Sequence, residues 1–188
     1  MKLFSDPIIV LDTETTGFFH ESEVIEIGAV CIDEWGRERT TFSSLIRPNK
    51  IDGRAKQALK INKIDPNSLR SAPSPETIMD CFAEWIEKIP TSNGPVMCTA
   101  FNVPFDKRML EKMGIHLRWG ECIRTMTNNL MKQTGQQPRD VKGKAKAPSL
   151  EEACAFFSIP YPHNAHRALA DAKVSAQVAI EAIKQHRK

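Results

Sequence analysis

The chain reads IIVLDTETTGFFHESEVIEIGAVCIDEWGRERTTFSSLI from residue 8 to residue 46. A β-branched run opens this stretch at residues 8–11, and a second apolar run occupies residues 24–32. A turn-like segment that ends at Gly36 follows, and Thr, Phe and Leu alternate from residue 37 to residue 46. Because that turn is too short for a crossover, the three segments predict a first strand followed by an antiparallel hairpin.

The rest of the chain predicts helices that alternate with short strands. We expect helices at residues 75–89, 103–113, 149–157 and 165–185, a strand at 96–100, brief helices and loops at 52–74, and a strand edge running into a helix at 123–131. Three strands followed by this alternation are typical of an α/β fold in which helices flank a mixed sheet. We expect residues 1–188 to form one domain.

The composition is that of an ordinary globular protein, with 41% apolar and 26% charged residues. A net charge of +3 is too weak to identify a polyanionic partner. No apolar run approaches the roughly 18 residues of a membrane helix, so we expect neither a membrane span nor a secretory signal. Five scattered cysteines without a C-x-x-C pair predict a reducing, cytoplasmic compartment.

Two carboxylates, Asp12 and Glu14, stand two residues apart at the end of the first predicted strand. A strand alternates its side chains between faces, so both should lie on one face. A close pair of carboxylates raises one pKa unless a cation keeps both ionised, and a hard divalent ion is the simplest such cation. For an isolated pair of this kind, a strand-end turn capped by Asp12 is the more common explanation.

Three further polar residues stand near predicted helix starts. Asp106 lies in the opening turn of a predicted helix, where a lone Asp is usually a surface residue favoured by the helix dipole. His166 and Asp171 are five residues apart, so in one ideal helix they would point about 140° apart. A shared site therefore requires His166 to precede the helix, although a lone His there is more often a simple helix-start residue.

Three segments, LDTETTG at residues 11–17, FNVPFD at 101–106 and HRALADA at 166–172, resemble in this order the motifs of the DEDDh subfamily of DnaQ-like 3′–5′ exonucleases. The resemblance implies an RNase H-like fold with a central mixed five-stranded sheet. It also implies a general base, His166, and two Mg²⁺ or Mn²⁺ ions. The implied metal ligands are Asp12, Glu14, Asp106 and Asp171. Family members often carry His where Phe101 stands, so a polar role is not expected at that position.

The resemblance further implies substrate contacts near the same motifs, at Thr15, Gly17, Phe18, Phe19 and Asn102. An aromatic directly after Gly17 could stack on the terminal base, and stacking tolerates any base. The alternative is that one of the two Phe side chains fills the core.

A basic segment at residues 136–148 contains Arg139, Lys142, Lys144 and Lys146. It is either a solvated mobile loop or a flap that contacts phosphates. Lys107 and Arg108 present the same choice, between neutralising backbone phosphates and forming a solvated helix face.

The expected function is metal-dependent release of nucleoside 5′-monophosphates from the 3′ end of single-stranded DNA by a two-metal mechanism. A polymerase proofreading subunit is one alternative, disfavoured because the chain ends at Lys188 soon after the third motif, and a polymerase or repair partner is possible. A second alternative is RNA trimming, which these residues do not separate from DNA digestion. A third is a degenerate nucleic-acid-binding module, which the retained carboxylates and His166 argue against.

Overall fold

The computed structural model describes residues 2–163 and 165–187. The strands are β1 (Ile8–Thr15), β2 (Val24–Ile32), β3 (Glu38–Leu45), β4 (Met97–Ala100) and β5 (Arg118–Trp119). They form one sheet in the order β3-β2-β1-β4-β5. Strands β1, β2 and β3 pair antiparallel, whereas β4 pairs parallel with β1 and with β5. The predicted mixed five-stranded sheet is therefore confirmed.

Helices cover both faces of this sheet. They are α1 (Gly53–Ile61), α2 (Pro66–Arg70), α3 (Pro75–Glu87), α4 (Val103–Lys112), α5 (Ile123–Gln133), α6 (Leu150–Phe156) and α7 (Ala168–His186). The predicted N-terminal signals of α3 and α6 are confirmed. Ser74 Oγ accepts a hydrogen bond from the Thr77 amide, and Ser149 forms a reciprocal capping box with Glu152.

Two predicted boundaries are wrong. No strand edge precedes the helix at residue 123, because α5 begins at Ile123 and its buried residues recur at helical spacing. The fifth strand is instead the two-residue pairing of Arg118–Trp119 with β4, which is too short to leave a periodic signal in the sequence. Helix α7 begins at Ala168, three residues later than predicted, since His166 has a left-handed backbone with φ of 66°.

The core has two layers because β1 is buried on both faces. Ile9 and Leu11 pack towards α3 and α4, in a cluster that includes Phe82. Ile8 and Val10 point the other way and pack against α5, α6 and α7. This alternation places the even-numbered residues of β1 on the face covered by α7. In the described part of the chain, no helix has the length and apolar character needed to cross a membrane.

Gly28 determines how closely α7 approaches the sheet. A Cβ atom built on Gly28 would lie 2.0 Å from the Leu169 amide nitrogen and 2.2 Å from the Ala168 carbonyl carbon. The backbone of the first turn of α7 therefore rests directly on β2, where only glycine leaves room. Gly28 pairs with Asp12 across the sheet, so this contact brings the start of α7 to the end of β1.

Candidate active site

The site lies where β1 ends, beneath the first turn of α7. Asp12 pairs with Gly28, and Glu14 pairs with Glu26 on β2. As even-numbered residues of β1, Asp12 and Glu14 share the face covered by α7, which confirms the prediction from their spacing. Both side chains are partly buried.

Asp106 reaches the same region from the first turn of α4. Its Oδ1 atom accepts hydrogen bonds from the Thr13 amide at 3.0 Å and from Thr13 Oγ1 at 2.8 Å. The side chain is buried, with 2% exposure. Thr13 therefore fixes one oxygen of Asp106 and ties α4 to the central strand of the sheet.

His166 and Asp171 meet at the start of α7, as their spacing required. The His166 amide donates to Asp171 Oδ2 at 3.1 Å, and His166 itself precedes the helix. The ligand atoms of Glu14, His166 and Asp171 all lie within 4.8 Å of one another. The left-handed turn at His166 thus brings its imidazole to the two carboxylates, while the side chain remains exposed to solvent.

Burial raises the pKa values of all four carboxylates, and neighbouring carboxylates add to the shift at Asp12 and Glu14. Burial, followed by the charges of Asp106, Glu14 and Asp171, raises the pKa of Asp12 well above its ordinary value. Burial and then the Asp171 charge raise the pKa of Glu14 to about 8. Burial raises the pKa of Asp106 to about 7 against the opposing Thr13 hydrogen bonds, and it also raises the pKa of Asp171. The four carboxylates therefore lack enough nearby positive charge to stabilise their ionised forms.

These residues fit a hard divalent cation. Carboxylate oxygens are the ligands that Mg²⁺ and Mn²⁺ prefer, and an imidazole lies beside them. Asp171 Oδ1 is buried and has no hydrogen-bond partner among the described residues. A cation would satisfy that oxygen and offset the burial and the repulsion that raise these pKa values.

Comparison with known proteins shows the family of the chain. A family model described as Exonuclease matches residues 9–179. The chain belongs to the exonuclease family. Its three motifs resemble those of the DEDDh subfamily of DnaQ-like 3′–5′ exonucleases.

Two curated relatives are DNA polymerase III proteins. The epsilon subunit from Buchnera aphidicola subsp. Baizongia pistaciae is 31% identical over 181 residues, which are 92% of this exonuclease and 69% of that subunit. The PolC-type polymerase from Caldanaerobacter subterraneus subsp. tengcongensis is 28% identical over 181 residues. Those residues are 94% of this exonuclease and 12% of that polymerase, so the chain spans a small part of the PolC-type protein.

Among solved structures, the nuclease domain of 3′hExo, a DEDDh family member bound to rAMP, superposes with a TM-score of 0.75. The alignment covers 98% of this exonuclease and 95% of that chain at 14% identity. This likeness shows that the exonuclease has the same RNase H-like fold.

The two Phe residues after Gly17 are surface residues of the exonuclease. Phe18 is 80% exposed and Phe19 is 55% exposed, so neither fills the core. The Phe18 ring lies 5.7 Å from the ring of Phe105 on α4, and the Arg108 guanidinium lies 5.6 Å from the Phe105 ring. Phe18, Phe105 and Arg108 therefore form a row of two aromatic rings and one cation. The sequence analysis did not single out Phe105.

The loop that carries these rings is held at both ends. Gly17 has φ of 150°, and its carbonyl accepts a hydrogen bond from Thr15 Oγ1 at 2.7 Å. From α4, Lys112 Nζ donates to the carbonyls of His20 and Ser22, the latter at 2.7 Å. The loop therefore has a defined position relative to α4.

Two residues of the second motif have different structural roles, one at the start of α4 and one in the core. Asn102 is the partly buried N-cap residue of α4, and its carbonyl accepts from the Phe105 and Asp106 amides. Phe101 is buried among apolar residues that include Ile123 of α5. The structure therefore places Phe101 in the core, as expected for a residue without a polar role.

Sequence reasoning also missed Glu26 and Tyr161. Glu26 is buried within the apolar strand β2 and forms an ion pair with Arg167 at 2.7 Å. A single carboxylate inside an apolar strand is the signal that could have revealed Glu26, because a buried charge needs a partner.

Tyr161 also lies beside the site. Burial, followed by the Asp171 charge, raises the pKa of Tyr161 to about 12, so its hydroxyl stays protonated.

The basic segment at residues 136–148 forms a hydrogen-bonded turn on the surface. Arg139 and Ala145 form a β-bridge, and Asp140 Oδ1 accepts from the amides of Lys142 and Lys144. Both lysine side chains are exposed at this turn. Lys146 is instead bound to Glu152 at 2.6 Å, which ties the turn to α6.

Proposed function

We propose that residues 1–188 act as one divalent-metal-dependent exonuclease domain that removes nucleoside 5′-monophosphates from the 3′ end of single-stranded DNA. The observation that carries the proposal is the convergence of Glu14, His166 and Asp171 within 4.8 Å at the end of β1. Asp12 lies on the same face of β1 as Glu14, and Asp106 approaches from α4. Five thiols without disulfides suit the reducing, cytoplasmic compartment that we propose.

In this proposal Asp12, Glu14, Asp106 and Asp171 hold two ions, Mg²⁺ or Mn²⁺. Four carboxylates carry about four negative charges, which two divalent ions balance. When bound, such ions activate the attacking water and stabilise the departing 3′ oxygen.

His166 is the proposed general base. Its side chain is exposed to solvent and adjoins the carboxylates of Glu14 and Asp171. An imidazole accepts a proton near neutral pH, so it can take the proton of a water that attacks the phosphodiester. The neighbouring Asp171 carboxylate stabilises the imidazolium that results.

The exposed Phe18 and Phe19 side chains are the proposed contacts for the terminal bases. Phe18 adjoins Phe105 and the guanidinium of Arg108, so a base on this row meets an aromatic face next to a cation. Thr15, Gly17 and Asn102 complete the proposed substrate-binding set, with Thr15 holding the turn at Gly17. The exposed Lys142 and Lys144 add a proposed contact for backbone phosphates.

DNA is the proposed substrate because two relatives are DNA polymerase III proteins. The likeness to an epsilon subunit also makes a polymerase proofreading partner a second candidate. RNA is the second candidate substrate, since one structural neighbour was solved with rAMP bound.

The decisive experiment digests matched DNA and RNA oligonucleotides, labelled at the 5′ end, in Mg²⁺. We expect a ladder that shortens from the 3′ end and faster digestion of DNA. A 3′-terminal phosphate should block digestion, whereas a 5′ block should have little effect. Rapid cutting of a circular single strand would overturn the exonuclease proposal, and faster digestion of RNA would overturn the DNA preference.

A further inference from the structure

The residue that follows His166 is bound to a buried carboxylate on the neighbouring strand. Arg167 Nε lies 3.1 Å from each carboxylate oxygen of Glu26, and Arg167 Nη2 lies 2.7 Å from Oε1. The Ala168 amide donates to Glu26 Oε2 at 3.0 Å. Glu26 is only 2% exposed, so its charge depends on these donors.

This carboxylate caps α7 from another element. Arg167 is the N-cap residue, yet its side chain makes no capping bond to its own helix. Glu26 supplies the missing acceptor from β2, because it binds the first amide of the helix together with the guanidinium. The start of α7 is therefore fixed relative to the strand that pairs with β1.

His166 needs such support because its backbone is strained. A φ of 66° is costly for a residue with a Cβ and persists only where the surroundings hold it. The hydrogen bond from the His166 amide to Asp171 holds one side of the turn. The Glu26 contacts hold the other side, one and two residues later in the chain.

We propose that Glu26 and Arg167 are positioning residues that hold the His166 imidazole in place beside Glu14 and Asp171. The inference rests on the proposed function, in which His166 is the general base. Two parallel contacts from the guanidinium fix an orientation that a single ammonium group does not fix. Arg167 thus acts on the reaction through His166 and does not contact the substrate.

The test replaces Arg167 with Lys, which retains the positive charge beside Glu26 and loses the two-point contact. We expect kcat to fall about 10- to 100-fold with KM unchanged, as for residues that support a ligand or base through hydrogen bonds. In a His166→Ala background the same change should cause no further fall, because the group that Arg167 positions is gone.

Lys173 offers a matched control on the same helix. It joins α7 to β3 through an ion pair with Glu38 at 2.8 Å, and the side chains of Lys173 and Glu38 are 41% and 49% exposed. Lys173→Met should leave kcat at the parental value in both backgrounds. Glu26→Gln is the second variant, because it keeps the size of the side chain and an acceptor for the Ala168 amide while removing the charge.

A second readout needs no metal and no turnover. In ¹³C-histidine NMR of the metal-free protein, His166→Ala identifies the His166 signal among the five histidines. Arg167→Lys and Glu26→Gln should shift or broaden that signal and leave the other four unchanged. Thermal melting of each variant shows that it is folded.

Three results would overturn the inference: parental kcat and parental KM in Arg167→Lys, an equal fall of kcat in both backgrounds, or a raised KM with unchanged kcat. The last would make Arg167 a substrate contact. If His166→Ala itself keeps parental turnover, the proposed general base is wrong. In that case the NMR comparison alone tests whether Glu26 and Arg167 position His166. A His166 signal that is unchanged in Arg167→Lys and Glu26→Gln would refute the inference.

Discussion

Replacing Glu14 with Gln should stabilise the metal-free protein at high pH. The pKa of Glu14 is raised to about 8 by burial and by the Asp171 charge, whereas the unfolded chain has an ordinary value near 4.5. Between these values the folded state holds a proton that the unfolded state has lost. The parent therefore loses stability as pH rises through this window, and Gln removes that loss.

The magnitude follows from the geometry. Ligand atoms of Glu14 and Asp171 lie within 4.8 Å, where two unit charges repel by about 3.5 kcal/mol at an effective dielectric constant of about 20. The raised pKa of Glu14 corresponds to about 5 kcal/mol, which includes burial and is an upper bound. We expect Glu14→Gln to gain about 3 kcal/mol at about pH 9, and almost nothing at about pH 5.

Urea unfolding in EDTA at both pH values measures this difference. Glu84→Gln on the exposed face of α3 is the control and should change stability at neither pH. Mg²⁺ should narrow the difference in stability between the two proteins, because it stabilises the parent by about 2.7 kcal/mol at 100 times its dissociation constant and binds the variant less well. A Glu14→Gln protein no more stable than the parent at high pH in EDTA would refute the account of mutual repulsion.

Three other substitutions test separate parts of the site. His166→Ala should lower turnover about 10²- to 10⁴-fold while single-stranded DNA still binds, and near-parental turnover would exclude a general base. Phe18→Ala should weaken DNA binding by about 1–3 kcal/mol with kcat retained, whereas unchanged affinity would remove the stacking role. Gly28→Ala should cost about 1–3 kcal/mol or more in urea unfolding, because its Cβ would overlap the backbone of α7. Gly53→Ala, which meets open space, is its control, and equal stability of the two variants would contradict the close contact.

Local periodicity was sufficient to predict most of the fold. The strand at residues 8–11 and the hairpin could be predicted because burial on both faces leaves an apolar run at the start of β1 and, apart from Glu26, along β2. Strand β5 was not readable, since two residues carry no period and its place depends on pairing with β4. The start of α7 was predicted too early because the left-handed turn at His166 is held by contacts distant in sequence.

The placement of the candidate side chains was easier to predict from the sequence than the contacts that support them. The five-residue spacing between His166 and Asp171 required a His outside the helix, and the structure confirms that placement. The supporting roles of Glu26 and Gly28 depend on α7 crossing β2, a contact between residues about 140 positions apart in the chain. No local pattern encodes such a contact.

The most direct test of the central claim measures nucleoside 5′-monophosphate release from linear single-stranded DNA by the parent and by Asp12→Asn. The account predicts release in Mg²⁺ by the parent, none in excess EDTA, and a rate at least about 10³-fold lower for Asp12→Asn. The variant should melt no earlier than the metal-free parent, since Asn is neutral at a position where burial and the neighbouring carboxylates disfavour the ionised form of Asp12. Parental rates in excess EDTA, or from Asp12→Asn in Mg²⁺, would contradict a metal-dependent carboxylate site.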